Sequence, residues 1–197
     1  MFSSWLKPLR VEDDMKILFA SDIHGSAYYC RKLLDRWEIE KPEKMVLLGD
    51  LLYHGPRNDL PREYAPREVI SMLNGISQEL LCVRGNCEAE VDQMVLDFPV
   101  MAEYMIMYDQ GRMFFITHGH VFNKANLPKL KAGDLLIHGH THLQAMEPCG
   151  PDGAFFYINP GSVAIPKGGN DHSYMMYEDG VFTIKNLDGE TIMCHSI

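Results

Sequence analysis

The 197-residue chain is 46% hydrophobic and 23% charged, and 18 Lys and Arg against 27 Asp and Glu leave a formal net charge of −9. Such a length and composition suit one soluble domain with a substantial core. The acidic balance argues against a broad nucleic-acid or anionic-membrane surface, since both need a positive field, but it leaves room for a small anionic substrate held by a local cation.

Residues 1–14 carry Lys7 and Arg10 without an apolar stretch and read as an N-terminal extension; the patterned single domain covers 15–197, and Met15 is itself an alternative start. No later run is long enough to cross a bilayer. The five cysteines, at 30, 82, 87, 149 and 194, are odd in number and lack a Cys-x-x-Cys pair, so neither a disulfide framework nor a thiolate zinc site is indicated. A cytoplasmic protein with reduced thiols is the expectation.

Lys16 to Ala20 is a short apolar run closed by Ser21-Asp22-Ile23-His24-Gly25, a buried strand entering a polar loop. Ser26 can cap a helix in which Leu33, Leu34 and Trp37 recur at helical spacing before Pro42. Met45 to Leu48 is a second buried strand, again ending in Gly49-Asp50. A long loop from Leu51 to Pro66 carries His54-Gly55-Pro56-Arg57-Asn58, and Pro66 opens a helix through Val69, Ile70, Leu73 and Ile76. Leu80 to Val83 is a third strand that runs into Arg84-Gly85-Asn86-Cys87. Repeated strand, loop and helix imply a parallel sheet.

Hairpins follow. Tyr104 to Tyr108 and Arg112 to Thr117 flank Asp109-Gln110-Gly111, and the second strand delivers His118-Gly119-His120. Residues 123–133 predict a loop or short helix. Leu135 to Ile137 then leads into His138-Gly139-His140-Thr141-His142. Strands from Gln144 to Glu147 and from Ala154 to Ile158 flank Cys149 to Gly153, and further strands are predicted at Tyr174–Tyr177, Val181–Asn186 and Thr191–His195. The Met-rich tract 94–107 offers either core or the interface of a homo-oligomer.

Five strand-like runs thus end in metal-capable residues: Asp22 and His24, Asp50, Asn86, His118 and His120, then His140 and His142. In open α/β sheets ligands gather at the carboxyl ends of strands, so these tips can meet. Asp22, His24, Asp50, Asn86, His118, His140 and His142 make a mixed nitrogen and oxygen set of the right size for two divalent ions. Such a set suits Mn foremost, with Fe, Ni, Co or Zn open to availability, while the imidazoles disfavour Ca. Two ions about 3.5–4 Å apart activate water and clamp a phosphoryl oxygen. His138 finds no place among the seven and reads as a packed or supporting histidine.

The ordered blocks Asp22-x-His24, Gly49-Asp50, Gly85-Asn86-Cys87, His118-Gly119-His120 and Gly139-His140-Thr141-His142 resemble the calcineurin-like metallophosphoesterases. The stretches 54–58, 84–87, 91–94, 159–162 and 165–170 narrow the resemblance to the YfcE-like bacterial phosphodiesterases. It runs from about Met15 to the C-terminus. It implies an α/β fold, a four-layer α/β/β/α sandwich with two mixed β-sheets. It also implies that Asp22, His24 and His142 hold one ion, Asn86, His118 and His140 the other, and that Asp50 bridges them.

The implied activity is hydrolysis of a small phosphodiester by metal-activated hydroxide. Formal charge favours a diester: two ions, two aspartates and one hydroxide leave a single positive charge. Many superfamily members have His where this chain has Cys87, so the histidine often assigned to protonate the leaving oxygen is missing, and the leaving group either goes unprotonated or relies on His54 or His120; His120, His54 and Arg57 are the candidate catalytic residues. The alternatives are a phosphomonoesterase or nucleotide phosphatase at the same site, and a non-catalytic protein-binding scaffold like the retromer subunit of this architecture. Retention of every liganding residue type separates this chain from the scaffold.

Overall fold

The computed structural model describes residues 15–197; the extension expected over 1–14 lies outside the described residues. The first strand, β1 (Lys16–Ala20), alternates its side chains between two apolar environments: Leu18 and Ala20 face helices, Ile17 and Phe19 face a second sheet. Burial on both faces is why the run reads as continuously apolar. Helix α1 (Ala27–Glu40) starts at Ser26, whose hydroxyl accepts from the Tyr29 amide, and ends at Lys41 in a left-handed conformation. Strand β2 (Lys44–Leu47), helix α2 (Pro66–Asn74) and strand β3 (Leu80–Cys82) complete the parallel half of the first sheet.

A four-residue helix, α3 (Glu90–Gln93), was not legible in the sequence; Asp92 caps it by accepting from the Ala89 amide. Strands β4 (Tyr104–Asp109), β5 (Arg112–Thr117), β6 (Leu135–Ile137), β7 (Gln144–Cys149) and β8 (Phe155–Pro160) form the second sheet in the order β4-β5-β6-β8-β7. β7 runs past its predicted end through Pro148, which an edge strand tolerates because no ladder donor is lost there. The chain then returns to the first sheet with β9 (Ser173–Glu178), β10 (Val181–Asn186) and β11 (Thr191–Ser196), giving the order β11-β10-β9-β1-β2-β3.

Both sheets are mixed: β1, β2 and β3 are parallel, as are β5, β6 and β8, and the remaining pairings are antiparallel. Three apolar layers hold the stack together. Helices α1 and α2 cover the first sheet through Leu33, Val69 and Leu73. Phe19, Phe114, Ile137, Tyr177 and Phe182 interlock between the sheets. Phe122, Leu127 and Leu130 cover the outer face of the second sheet, and this fourth layer is irregular chain without a helix. Within the tract 94–107, Met105 and Met107 pack between the sheets, Tyr104 and Ile106 are exposed along the β4 edge, and Met94 is exposed at the end of α3.

No helix among the described residues is long and apolar enough to cross a membrane. All five cysteines are free thiols.

Candidate metal centre

The carboxyl ends of the two parallel strand triplets face one another, and the seven metal-capable residues lie there. Asp22, Asp50 and Asn86 follow β1, β2 and β3; His118 and His140 follow β5 and β6. Backbone bonds lace the tips: the Asp22 amide donates to Gly49 O (3.1 Å), the His24 amide to Asp50 O (2.9 Å) and the Gly139 amide to His118 O (3.0 Å). Asp22, His24, Asp50, His140 and His142 all have positive φ, between 48° and 63°. That region is uncommon outside glycine, and such strain gathers where surrounding structure must aim a side chain.

Two groups of facing atoms result. In the first, His24 Nε2 and His142 Nε2 lie 3.3 Å apart, with Asp22 Oδ1 at 3.5 and 3.2 Å from them respectively. The other nitrogens of these rings donate to carbonyls, His24 Nδ1 to Tyr53 O (2.7 Å) and His142 Nδ1 to Ile165 O (2.5 Å). A carbonyl can only accept, so Nδ1 holds the hydrogen and Nε2 presents a lone pair. Asp22 Oδ1 is buried without a hydrogen-bond donor, while Oδ2 is occupied by the Ser21 hydroxyl and the His140 amide. Three acceptors turned toward one point inside a protein are unfavourable unless a cation lies among them.

The second group repeats the logic. His118 Nδ1 donates to Leu48 O (2.7 Å), leaving Nε2 to face Asn86 Oδ1 and His140 Nδ1, each at 3.1 Å. Asp50 lies between the groups: Oδ1 is 3.5 Å from His118 Nε2, and Oδ2 is 3.8 Å from His24 Nε2. Within each of the trios Asp22, His24, His142 and Asp50, His118, His140, the candidate ligand atoms lie within 4.8 Å of one another. The donor set, imidazole nitrogens held by carbonyls and carboxylates with a free oxygen, fits divalent transition metals.

Electrostatics agree. Burial would raise the Asp22 carboxyl, but His142, His24 and His118 outweigh it and hold it well below the usual range. Burial likewise opposes charge on His118, yet Asp50 and Asp22 lift it to about 9. His140 is pushed down to about 4, by burial first and then by the neighbouring His118 charge. The carboxylates thus call for positive charge that adjoining imidazoles cannot all supply, and a bound metal would take the place of those protons.

Two close approaches fix the tips. A Cβ on Gly139 would meet Ser21 Oγ at 1.8 Å, and one on Gly85 would meet Asp50 Oδ1 at 2.1 Å. Glu88, 4% exposed, accepts from the amides of Asp50 (2.9 Å), Leu51 (2.7 Å) and Gly85, so one carboxylate joins the turns that carry Asp50 and Asn86. Burial and then the Asp50 charge raise its pKa against these three bonds. Sequence reasoning missed Glu88; its place two residues after Asn86 was the available signal.

A cavity of about 370 Å³ opens over the centre, lined by His24, Asp50, Asn86, His140 and His142 and walled by Arg57, Asn58, Cys87, Thr141 and Lys167. Of the three helpers proposed from sequence, only Arg57 lines it. His54 packs edge-on against Tyr53 and Tyr64, and its Nδ1 is buried with no hydrogen-bond partner. His120 lies beside the second group, its ring 5.4 Å from His118 and 6.3 Å from His140, with its pKa lowered by burial and by His118. His138 is a packed histidine: its ring lies 4.6 Å from Tyr157, and burial pushes it down to about 4.

The calcineurin-like phosphoesterase superfamily domain matches residues 15–179 of the chain. The sequence is 45% identical to phosphodiesterase YfcE of Escherichia coli strain K12 over 179 residues, 91% of this chain and 96% of that protein. The solved structure of E. coli YfcE, a phosphoesterase, superposes with a TM-score of 0.88 at 44% identity, over 93% of this chain and 100% of that one. The zinc complex of Vps29 from Entamoeba histolytica shares the fold alone, with a TM-score of 0.55 at 20% identity over 93% of this chain and 98% of the other. By the span of the domain match and the identity to a relative of nearly equal length, the chain belongs to the calcineurin-like phosphoesterase superfamily.

Proposed function

We propose that the chain is a metal-dependent phosphodiesterase in which Asp22, His24 and His142 hold one divalent ion, Asn86, His118 and His140 hold a second, and Asp50 bridges the two. The observation that carries this reading is Asp50 itself, with one oxygen turned to each imidazole group. Manganese is the foremost candidate, with Fe, Ni, Co and Zn fitting the same donors. When bound, such ions activate water at neutral pH and steady the charge on phosphoryl oxygens. The chain's own contribution is placement: the carbonyls of Tyr53, Leu48 and Ile165 fix three imidazoles in the tautomer that offers Nε2 inward.

The leaving oxygen receives little help from the protein. Cys87 lines the cavity, but burial first and then the Asp50 charge raise its thiol, which makes it a poor proton donor at neutral pH. His54 faces its tyrosine neighbours, and burial and then the His118 charge lower the pKa of His120. Rates should therefore rise steeply as the leaving group becomes more acidic. Aryl phosphodiesters of graded leaving-group pKa, assayed with added Mn²⁺, test this; a flat dependence overturns it by revealing a competent acid.

The phosphomonoesterase reading is favoured by one observation, the presence of Arg57 and Lys167 on the cavity wall, where they can offset the extra charge of a monoester dianion. Comparing p-nitrophenyl phosphate with bis(p-nitrophenyl) phosphate in the same assay decides between them, and faster turnover of the diester is expected.

A further inference from the structure

Arg57 and Lys167 are exposed side chains, and they are the two cations that line the cavity. Arg57 lies in a turn closed on itself: the Asn58 side-chain amide donates to His54 O (2.9 Å), and its backbone amide to Gly55 O (3.4 Å). This turn begins one residue after Tyr53, whose carbonyl holds His24. Lys167 follows two residues after Ile165, whose carbonyl holds His142, and its own amide donates to His142 O (3.1 Å). Asn170 pins the same loop by accepting from the Gln144 amide (2.8 Å). Both cations therefore stand on backbone tied to the Asp22, His24 and His142 end of the cavity.

Neither cation is compensated. Among the described residues, Arg57 and Lys167 share with Arg36, Lys41, Arg62, Arg67, Arg84, Arg112, Lys129 and Lys131 the lack of a carboxylate within ion-pair distance, and of these ten they are the two that line the cavity. Asp59 and Asp171 belong to the same loops but do not line the cavity, and the one acidic side chain that does is Asp50 at its floor. In a chain of net charge −9, two unpaired cations lining one cavity make it locally attractive to anions. A volume of about 370 Å³ also exceeds what a bare phosphodiester fills, falling within the range of sites for larger small molecules.

We propose that the preferred substrate is a phosphodiester bearing a second anionic group, a carboxylate or a further phosphate, seated between Arg57 and Lys167 at the Asp22, His24 and His142 end of the cavity. The inference rests on the phosphodiesterase reading and names the substrate class for that same site. Arg57 and Lys167 act as specificity residues: they bind the unreacting arm, and the metal-binding groups hold the phosphoryl centre.

The test is a charge series of p-nitrophenyl phosphodiesters, whose second ester group is ethyl, carboxymethyl or 2-phosphoethyl, assayed in saturating Mn²⁺. An exposed ion pair contributes up to roughly fivefold, so two contacts should favour the anionic arms by about tenfold in kcat/KM. That ratio should shrink in Lys167→Gln and again in Arg57→Gln, and should contract as ionic strength rises from about 0.05 to 0.3 M. Comparing the two anionic arms identifies carboxylate or phosphate as the better fit. Equal kcat/KM across the series, with the ethyl diester turned over, overturns the proposal while leaving the phosphodiesterase reading intact. An anionic preference unchanged in both variants also overturns it. Faster turnover of p-nitrophenyl phosphate than of all three diesters reassigns the cations to the reacting phosphate, and failure to hydrolyse any diester removes the phosphodiesterase reading itself.

Discussion

Asp50 has no understudy. Its Oδ1 accepts from the Cys87 amide at 2.9 Å and faces His118, and its Oδ2 faces His24, so both groups lean on one carboxylate. Asp50→Asn keeps the shape and removes the charge. Bound metal should fall from two ions per chain to one or fewer, and diester hydrolysis should drop by at least about a hundredfold, measured by elemental analysis and steady-state assay. Two retained ions with full activity would remove Asp50 from its bridging place. At this scale the sequence was informative because the chemistry demands particular side chains: Asp22, His24, Asp50, Asn86, His118, His140 and His142 are all brought together. What it hid was support by ordinary groups. The carbonyls of Leu48, Tyr53 and Ile165 belong to residues whose side chains give no hint, and Glu88 does its bonding to amides that any sequence would supply.

Elements are joined at the site by similarly few groups. Glu88 links the turns after β2 and β3, and its three donors need an acceptor on both oxygens. Glu88→Gln sets an amide NH₂ against at least one backbone N–H. The turns carrying Asp50 and Asn86 should part, and apparent Mn²⁺ affinity should weaken by about tenfold in a calorimetric titration. An unchanged affinity would make Glu88 a fold residue only. Away from the centre, Glu40 at the end of α1 accepts from Tyr174 of β9 (2.7 Å) and Lys185 of β10 (2.8 Å). Burial opposes its charge, but Lys185 and Tyr174 prevail and lower its pKa.

A lowered carboxyl stabilises the fold above its unfolded value of about 4.3, and the gain disappears as pH falls through the folded value. Glu40→Gln should therefore cost about 1 kcal/mol at pH 7, or about 3 °C in Tm, with the gap to the parent narrowing at a pH below that unfolded value. Thermal melts at the two pH values check the sign. Element boundaries were legible where burial and capping coincide, as at β1 and at Ser26 before α1. They were missed at α3, whose four residues carry no periodicity to read, and at Pro148, where only the edge position of β7 makes proline admissible.

At the scale of the whole molecule, the centre sits across the seam between two sheets. Asp22, Asp50 and Asn86 come from the first, and His118, His140 and His142 from the second. Ions held by both sheets would bind the folded state and find no comparable site in the unfolded chain. Saturating Mn²⁺ at about 100 times its dissociation constant should add about 2.7 kcal/mol, raising Tm by roughly 5–10 °C, with reversal by EDTA. Scanning fluorimetry reads the shift, and an unmoved Tm would argue against ions at the seam.

The two-sheet sandwich was expected only through the resemblance to a family. Strand patterns alone imply a parallel sheet followed by hairpins, and nothing local records that β9, β10 and β11 rejoin β1. That return is a pairing across more than 150 residues between Lys16 and Glu178.

The carbonyls of Tyr53 and Ile165 give the cavity loops a second duty with consequences for divergence and redesign. Loops 53–58 and 165–170 carry Arg57, Asn58 and Lys167, which line the cavity, and they also hold His24 and His142 in register. An insertion or deletion there, normally the cheapest way to reshape a binding surface, would unseat a ligand. Variation in what this enzyme accepts is thereby channelled into side-chain exchange at fixed loop length.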